Sequence, residues 1–297
     1  MLQSVKHYCK ASVKPVLQYD LARVTLELRP THNDTVPGWL GRVAQAVYLK
    51  AMQRIAPEVS AAVHDSQSYH PYTVSDVLPL VKTELRDLSR SQPLTLVLTT
   101  LHHQVTRLTL NAVIPQWQKD GLDLHGQRLK VINAEVEAAT FEALLAEGHT
   151  QTKRHIPLRF LTPTSTKKSR RRGERNERRE SQVVPLPMPD RIFGSLYDRW
   201  NFFAPQPLPE ALRAEIDDEI AIHYANIHTH YVDRERANKG GTVGFVGDVT
   251  FFCTSRDFLG YVHALAAFAR YSGVGIKTTQ GMGTVAMQPV REKEALP

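Results

Sequence analysis

Residues 242–253 read TVGFVGDVTFFC and residues 256–271 read RDFLGYVHALAAFARY. The first run is dense in β-branched and aromatic residues, which suit a pleated strand. In the second, Phe258, Val262, Leu265 and Ala269 keep i, i+3, i+4 spacing, the apolar stripe of an amphipathic helix. With a short strand expected over 283–290, this is the closing half of a β-α-β-β-α-β unit. The opening half lies upstream. Residues 156–161, IPLRFL, read as a strand, and 190–202, DRIFGSLYDRWNF, as a helix introduced by Pro185, Pro187 and Pro189. Residues 219–232 are expected to pair with 242–253.

The first half of the chain has the same order. Residues 21–28, LARVTLEL, read as a strand ending at Arg29-Pro30. Residues 38–55 have helical period, with Leu40, Val43, Ala44, Val47, Tyr48, Met52 and Ile55 on one side and Pro57 as the stop. A strand over 94–100, LTLVLTT, precedes a helical segment running to Trp117, and 128–138 return as a strand. One further strand belongs near 71–78. The expected class is therefore α+β: two tandem ferredoxin-like (RRM-like) domains, antiparallel sheets with helices on one face. The boundaries are drawn at 1–145 and 146–297, with a candidate active-site loop in the first.

Composition agrees with two globular domains. The chain has 297 residues, 42% hydrophobic and 23% charged, within the ordinary soluble range. No run approaches the roughly 18 apolar residues that cross a bilayer, and the first fifteen residues hold no signal-like apolar core. Cys9 and Cys253 stand apart, in no metal-type spacing. The expectation is a cytoplasmic protein with no membrane partner.

Charge is concentrated. The net charge is +7, and residues 167–180, KKSRRRGERNERRE, hold eight Lys or Arg against three Glu. Such a segment is either a solvated loop or the footprint of a polyanion.

Residues 272–285, SGVGIKTTQGMGTV, carry two G-x-G pairs around Lys277. The order helix, loop, strand fits neither a dinucleotide fingerprint nor a Walker loop. Two readings remain: a tight structural turn, or a loop whose backbone N–H groups meet phosphate with help from Lys277.

On these residues the chain resembles the CRISPR-associated repeat-processing endoribonucleases, the sixth Cas family. The helix before GVGIKTTQGMG and the strand after it carry the likeness. FVGDVTFF at 245–252, FLTPTS at 160–165, LPMPDRIFGSLYDRWN at 186–201 and HDSQSYHPYTVSD at 64–76 support it.

The resemblance implies two ferredoxin-like domains that bind CRISPR repeat RNA, often a hairpin, as a monomer or homodimer, alone or with other Cas effector subunits. It implies endonuclease cutting without metal or cofactor. The ribose 2′-OH attacks the adjacent phosphate and leaves 2′,3′-cyclic phosphate and 5′-OH ends. That chemistry asks for a base, a stabiliser of phosphorane charge and an acid for the leaving oxygen. Imidazole suits the first and last because it titrates near neutrality.

Relatives usually carry the active histidine in or near the first helix. Here that helix has none, and Gln45 stands in such a place. His32, just before the helix, is the leading candidate, with His64 and His70 behind it. Arg29, Tyr48 and Lys50 complete the catalytic candidates. The expected RNA contacts are Lys167, Lys168, Arg170, Arg171, Arg172, Arg175, Arg178 and Arg179, with Gly273, Gly275, Lys277, Gly281 and Gly283. The run His223, His228, His230 lacks a cysteine or carboxylate partner for a metal, and no metal site is assigned. The rival is a non-catalytic subunit of the same fold that holds repeat or guide RNA for an effector complex.

Overall fold

The computed structural model describes residues 7–8, 19–64, 69–167, 183–232 and 241–288; Lys168 and Arg170 to Arg179 of the basic segment lie outside them. In chain order the first unit comprises β1 (His7–Tyr8), β2 (Leu21–Pro30), β3 (Asp34–Pro37), α1 (Gly41–Ile55), α2 (Pro57–His64), β4 (Tyr72–Val74), β5 (Leu85–Leu88) and β6 (Leu94–Thr100). It continues with α3 (His103–Leu108), a π-helical turn over Thr109–Val113, α4 (Ile114–Asp120), β7 (Leu122–Leu124) and β8 (Gln127–Ala139). The sheet order is β1-β8-β2-β6-β4, with β7 on β8 and a separate β3-β5 ladder. Its pairs are antiparallel.

The second unit comprises α5 (Phe141–His149), β9 (His155–Thr164), β10 (Thr166–Lys167), β11 (Val183–Val184), α6 (Pro189–Phe203), α7 (Glu210–Glu219), β12 (Ile220–Val232), β13 (Thr242–Cys253), α8 (Leu259–Ser272) and β14 (Val285–Met287). Its main sheet runs β12-β13-β9-β14, antiparallel throughout. The fold is thus the expected tandem of ferredoxin-like units, each sheet backed by helices on one face.

Differences from the sequence reading are local. Pro57 stops α1 and opens α2, because proline fits the first helical turn and not the interior. The closing strand β14 covers three residues, since Met282 to Thr284 belong to the glycine loop. Helices α5 and α7 were not foreseen. Only Leu212 and Ile216 are buried in α7, and Phe141, Leu144 and Gly148 in α5. Two or three inward positions leave little periodicity to read.

The pattern of β2 shows how the units are joined. Ala22, Val24, Leu26 and Leu28 face the core under α1. Alternation then turns Arg23 to the other face, yet Arg23 is only 6% exposed. Helix α8 of the second unit covers that face. The Arg23 guanidinium donates to the Arg270 carbonyl at 2.8 Å and the Val285 carbonyl at 2.9 Å. Burial lowers its pKa to about 10. Nearby, Thr99 Oγ1 donates to the Tyr271 carbonyl, and Arg270 pairs with Glu137.

Arg23→Ala would leave two buried carbonyls without their donor. We expect it to lower stability by about 2–4 kcal/mol, measured by urea unfolding. A loss below about 0.5 kcal/mol, the size of an ordinary surface change, would show that Arg23 does not hold the junction.

Candidate active site

The residues that can handle a phosphate gather at the end of β2. In the ladder with β8, Arg29 lies directly opposite Lys130, and both are exposed. Like charges facing each other across a strand pair destabilise it, and a bound polyanion offsets that cost. Arg90 joins them. A shallow groove is lined by Arg29, Thr31, Asn33, Arg90 and Lys130, and among the described residues no carboxylate lines it.

His32 sits on the three-residue link beside this groove. One side of the link is the last β2–β8 pair, Pro30 with Leu129; the other is the first β3–β5 pair, Asp34 with Leu88. Asn33 Oδ1 accepts the Arg90 amide at 2.9 Å, and Thr35 Oγ1 donates to Asp87 at 2.8 Å. Two ladders therefore hold an otherwise exposed histidine.

Thr31 decides which imidazole nitrogen is available. Its hydroxyl has one proton and donates it to the Arg128 carbonyl at 3.0 Å. Toward His32 Nδ1, also at 3.0 Å, the same oxygen can only accept. Nδ1 then carries the proton in the neutral ring and Nε2 keeps its lone pair. A histidine so arranged can take a proton at Nε2.

Other candidates fall elsewhere. Tyr48 is buried at 0% exposure, its hydroxyl 2.7 Å from Thr109 Oγ1, and burial raises its pKa. It is a core residue, held against Tyr72 and Trp117, and this corrects its candidacy for contact with a reacting strand. Lys50 lines a different groove, between α1 and α2, with Gln53 and Ser60. Gln45 donates to the Tyr72 hydroxyl at 3.0 Å. His70 Nδ1 lies 3.1 Å from the Val63 carbonyl. The His64 side chain falls outside what is described. Lys167, in β10, is exposed.

The glycine loop is built inward. Val274 N donates to Gly283 O at 2.8 Å, Ile276 N to Ser165 O at 2.9 Å, Gly281 N to Val74 O at 2.9 Å, and Gly283 N to Pro163 O at 3.0 Å. These four amides are committed to protein carbonyls and do not point at a ligand. A Cβ on Gly275, at φ +82°, would stand 2.1 Å from Ser165 O; glycine is needed there for close packing. Lys277 Nζ donates to Thr242 Oγ1. The buried Arg199 of α6 donates to the carbonyls of Ser272, Gly273 and Gly275, the last at 2.8 Å. Burial lowers its pKa to about 10.

Thr31, Arg90, Lys130 and Arg199 were not singled out from the sequence. For Lys130 the missing information was strand register, which alone sets it against Arg29. Arg199 lies inside the DRWN segment, where only its partners reveal its task.

The comparisons bear on the same elements. Residues 158–285 match the model of the family described as CRISPR-associated endoribonuclease Cas6. Curated relatives of that description from two Mycobacterium tuberculosis strains are 29% identical over 143 residues. That match takes in 48% of this chain and 41% of the relatives' length. Among solved structures, a Cas6 product complex superposes with TM-score 0.72 at 26% identity, covering 91% of this chain and 100% of that one. Thermus thermophilus Cas6 gives TM-score 0.63 at 25% identity, with 91% and 99% covered. A Cas6-related protein of Pyrococcus furiosus, at 14% identity and TM-score 0.63 over 91% of this chain and 100% of its own, shares the fold.

The tautomer is measurable without RNA. In ¹⁵N-resolved NMR at a pH where the ring is neutral, His32 is expected in the Nδ1–H form. Thr31→Ser should keep that form and Thr31→Val should lose it. An Nε2–H ring in the unaltered protein would contradict the arrangement.

Proposed function

We propose, from the match of residues 158–285 to the family described as CRISPR-associated endoribonuclease Cas6, that the chain cuts CRISPR repeat RNA in precursor transcripts, without metal or other cofactor. The observation that carries this reading is the groove lined by Arg29, Arg90 and Lys130, with His32 on the link between two of its lining residues, Thr31 and Asn33. It sits on a part of the fold where no structural need explains two opposed cations.

The chemistry then runs as follows. His32 Nε2 takes the proton of the ribose 2′-OH, and the oxygen attacks the adjacent phosphorus. The P–O5′ bond breaks, leaving a 2′,3′-cyclic phosphate and a 5′-OH. Arg29 and Arg90 offset the charge that builds on the phosphorane oxygens. The Lys130 ammonium supplies the proton to the leaving 5′ oxygen. The strand must be held in line for this attack, and the ladders that fix the 31–33 link supply a rigid side to hold it against.

The bound RNA is proposed to be a repeat hairpin. A-form stems are recognised through phosphates and shape, a task suited to arginines. Lys167 and the arginines after it, outside the described residues, are the proposed contacts with the stem. The boundary expected at 145/146 falls inside α5, whose Phe141 and Leu144 pack in the second core, so the two domains are proposed to divide just before α5, to work as a monomer or homodimer in the cytoplasm, and to pass the product to other Cas effector subunits. A second reading, a subunit that holds the RNA without cutting it, is favoured by one feature: α1 offers Gln45, bonded to Tyr72, where relatives usually carry a histidine in or near this helix.

The test is cleavage of a repeat hairpin in excess EDTA. The unaltered protein should cut, and His32→Ala should cut about 10²–10⁴-fold more slowly while binding the hairpin equally well. Cutting by both proteins at one rate would move the base elsewhere. Binding without cutting by either would select the second reading.

A further inference from the structure

The face of the second sheet turned away from α6 and α8 carries a group of rings that the cutting site does not use. Along β13, Phe251 is at 0% exposure in the core. The next residue, Phe252, therefore points to the opposite, open face. Register sets Phe252 against His155 of β9 on one side and Ala221 of β12 on the other. Ile156, next to His155, is buried in the core, so His155 also faces out.

A β-bulge between Ile222 and Tyr224 leaves His223 out of the ladder. Bulges commonly re-aim a side chain next to a functional site. Here the bulge brings the His223 ring to 4.5 Å from the His155 ring, and His155 lies 5.1 Å from Phe252. The Arg154 guanidinium stands 5.8 Å from the Phe252 ring centroid. The backbone at Arg154 is held by the Cys253 amide, which donates to the Arg154 carbonyl at 3.0 Å. Lys153 is exposed beside it, and Arg159 continues the same face two pairs along, 3.6 Å from Asp248. The neighbouring acid, Glu219, is bonded to Thr254.

Partly exposed rings, two of them imidazoles, flanked by cations on an open antiparallel sheet make a surface for stacked bases with phosphates alongside. We propose that this face binds two or three unpaired nucleotides of RNA, stacked on Phe252, His155 and His223 with Arg154 and Lys153 on the backbone. The inference goes beyond cutting, though it rests on the reading of the chain as an RNA-binding protein. The occupant is single-stranded because a base inside a duplex cannot offer its face to a ring. Unpaired stretches on either side of a hairpin are the natural source. Charge argues for RNA over a protein partner: Arg154 and Lys153 flank the rings, while Asp248 is paired with Arg159 and Glu219 is bonded to Thr254.

The probe is a fluorescein-labelled RNA octamer of uridine and cytidine, with binding to the full chain read by anisotropy. Phe252→Leu should weaken binding about tenfold or more, roughly what one stacked base contributes. Phe252→Tyr should bind like the unaltered protein. Both variants should keep the unaltered urea midpoint and cut a bare repeat hairpin within about threefold of its rate. Equal octamer binding by Phe252→Leu and the unaltered protein, or none by either, would overturn the proposal. Unchanged octamer binding with altered sedimentation of Phe252→Leu would overturn it in favour of a protein interface. Failure of the unaltered protein to cut the hairpin, with the octamer results as expected, would remove the cutting reaction and leave this site standing.

Discussion

The arrangement depends on the seating of Gly281 between the two units. Its amide donates to Val74 O at 2.9 Å, and its carbonyl accepts the Asp76 amide at 3.1 Å. With Ser75 this forms a short parallel bridge from the glycine loop to the edge strand of the first sheet. The backbone is at φ +102°, and a Cβ there would lie 2.6 Å from the Trp39 ring and 2.9 Å from Gly41 Cα. Only glycine meets both the conformation and the space. The contact reaches further through Asp76, whose Oδ1 accepts the Leu40 amide at 2.7 Å at the start of α1. Arg86 stands 3.7 Å from the same carboxyl. Burial nonetheless pushes the Asp76 carboxyl up to about 7. The loop thus fixes where α1 begins, and the segment leading into α1 carries His32.

This places the glycine motif in a different role from the one its composition invites. Loops rich in glycine are often read as phosphate cradles because their amides can point outward. Here the amides of Val274, Ile276, Gly281 and Gly283 serve Gly283, Ser165, Val74 and Pro163, and Arg199 takes up the carbonyls that α8 leaves at its end. The motif positions the first unit, and the proposed contacts with RNA are side chains on strand ends and sheet faces. Arg29 and Lys130 at one such end, and Arg154 beside Phe252 on the open face of the other sheet, both sit where a side chain emerges from a rigid ladder.

The fold was legible because its strands and long helices carry strong periodicity. The alternation of LARVTLEL and the stripe of residues 258–269 each name a secondary structure, and their order names the topology. Short helices such as α7, with two inward residues, left no such trace. The site was legible only in part. His32 stood out as the histidine just before α1, but nothing local to it announces that Thr31 is committed to the Arg128 carbonyl, a partner 97 residues away. Tyr48 shows the opposite error. A tyrosine on an amphipathic helix carries both a reactive hydroxyl and a large apolar ring, and only burial tells which of the two the fold uses. The basic segment drew attention by its charge, whereas the rings of Phe252, His155 and His223 lie far apart in sequence and meet only through register and a bulge.

The most direct measurement is urea unfolding of Gly281→Ala alongside its affinity for a repeat hairpin under fully folding conditions. The account predicts a stability loss of about 2 kcal/mol or more, from strain at positive φ and overlap with the Trp39 ring and the Gly41 backbone. Whatever RNA affinity is lost should accompany that loss of stability. Unchanged stability with hairpin affinity reduced tenfold or more would contradict it, and would return the glycine loop to the role of a phosphate cradle.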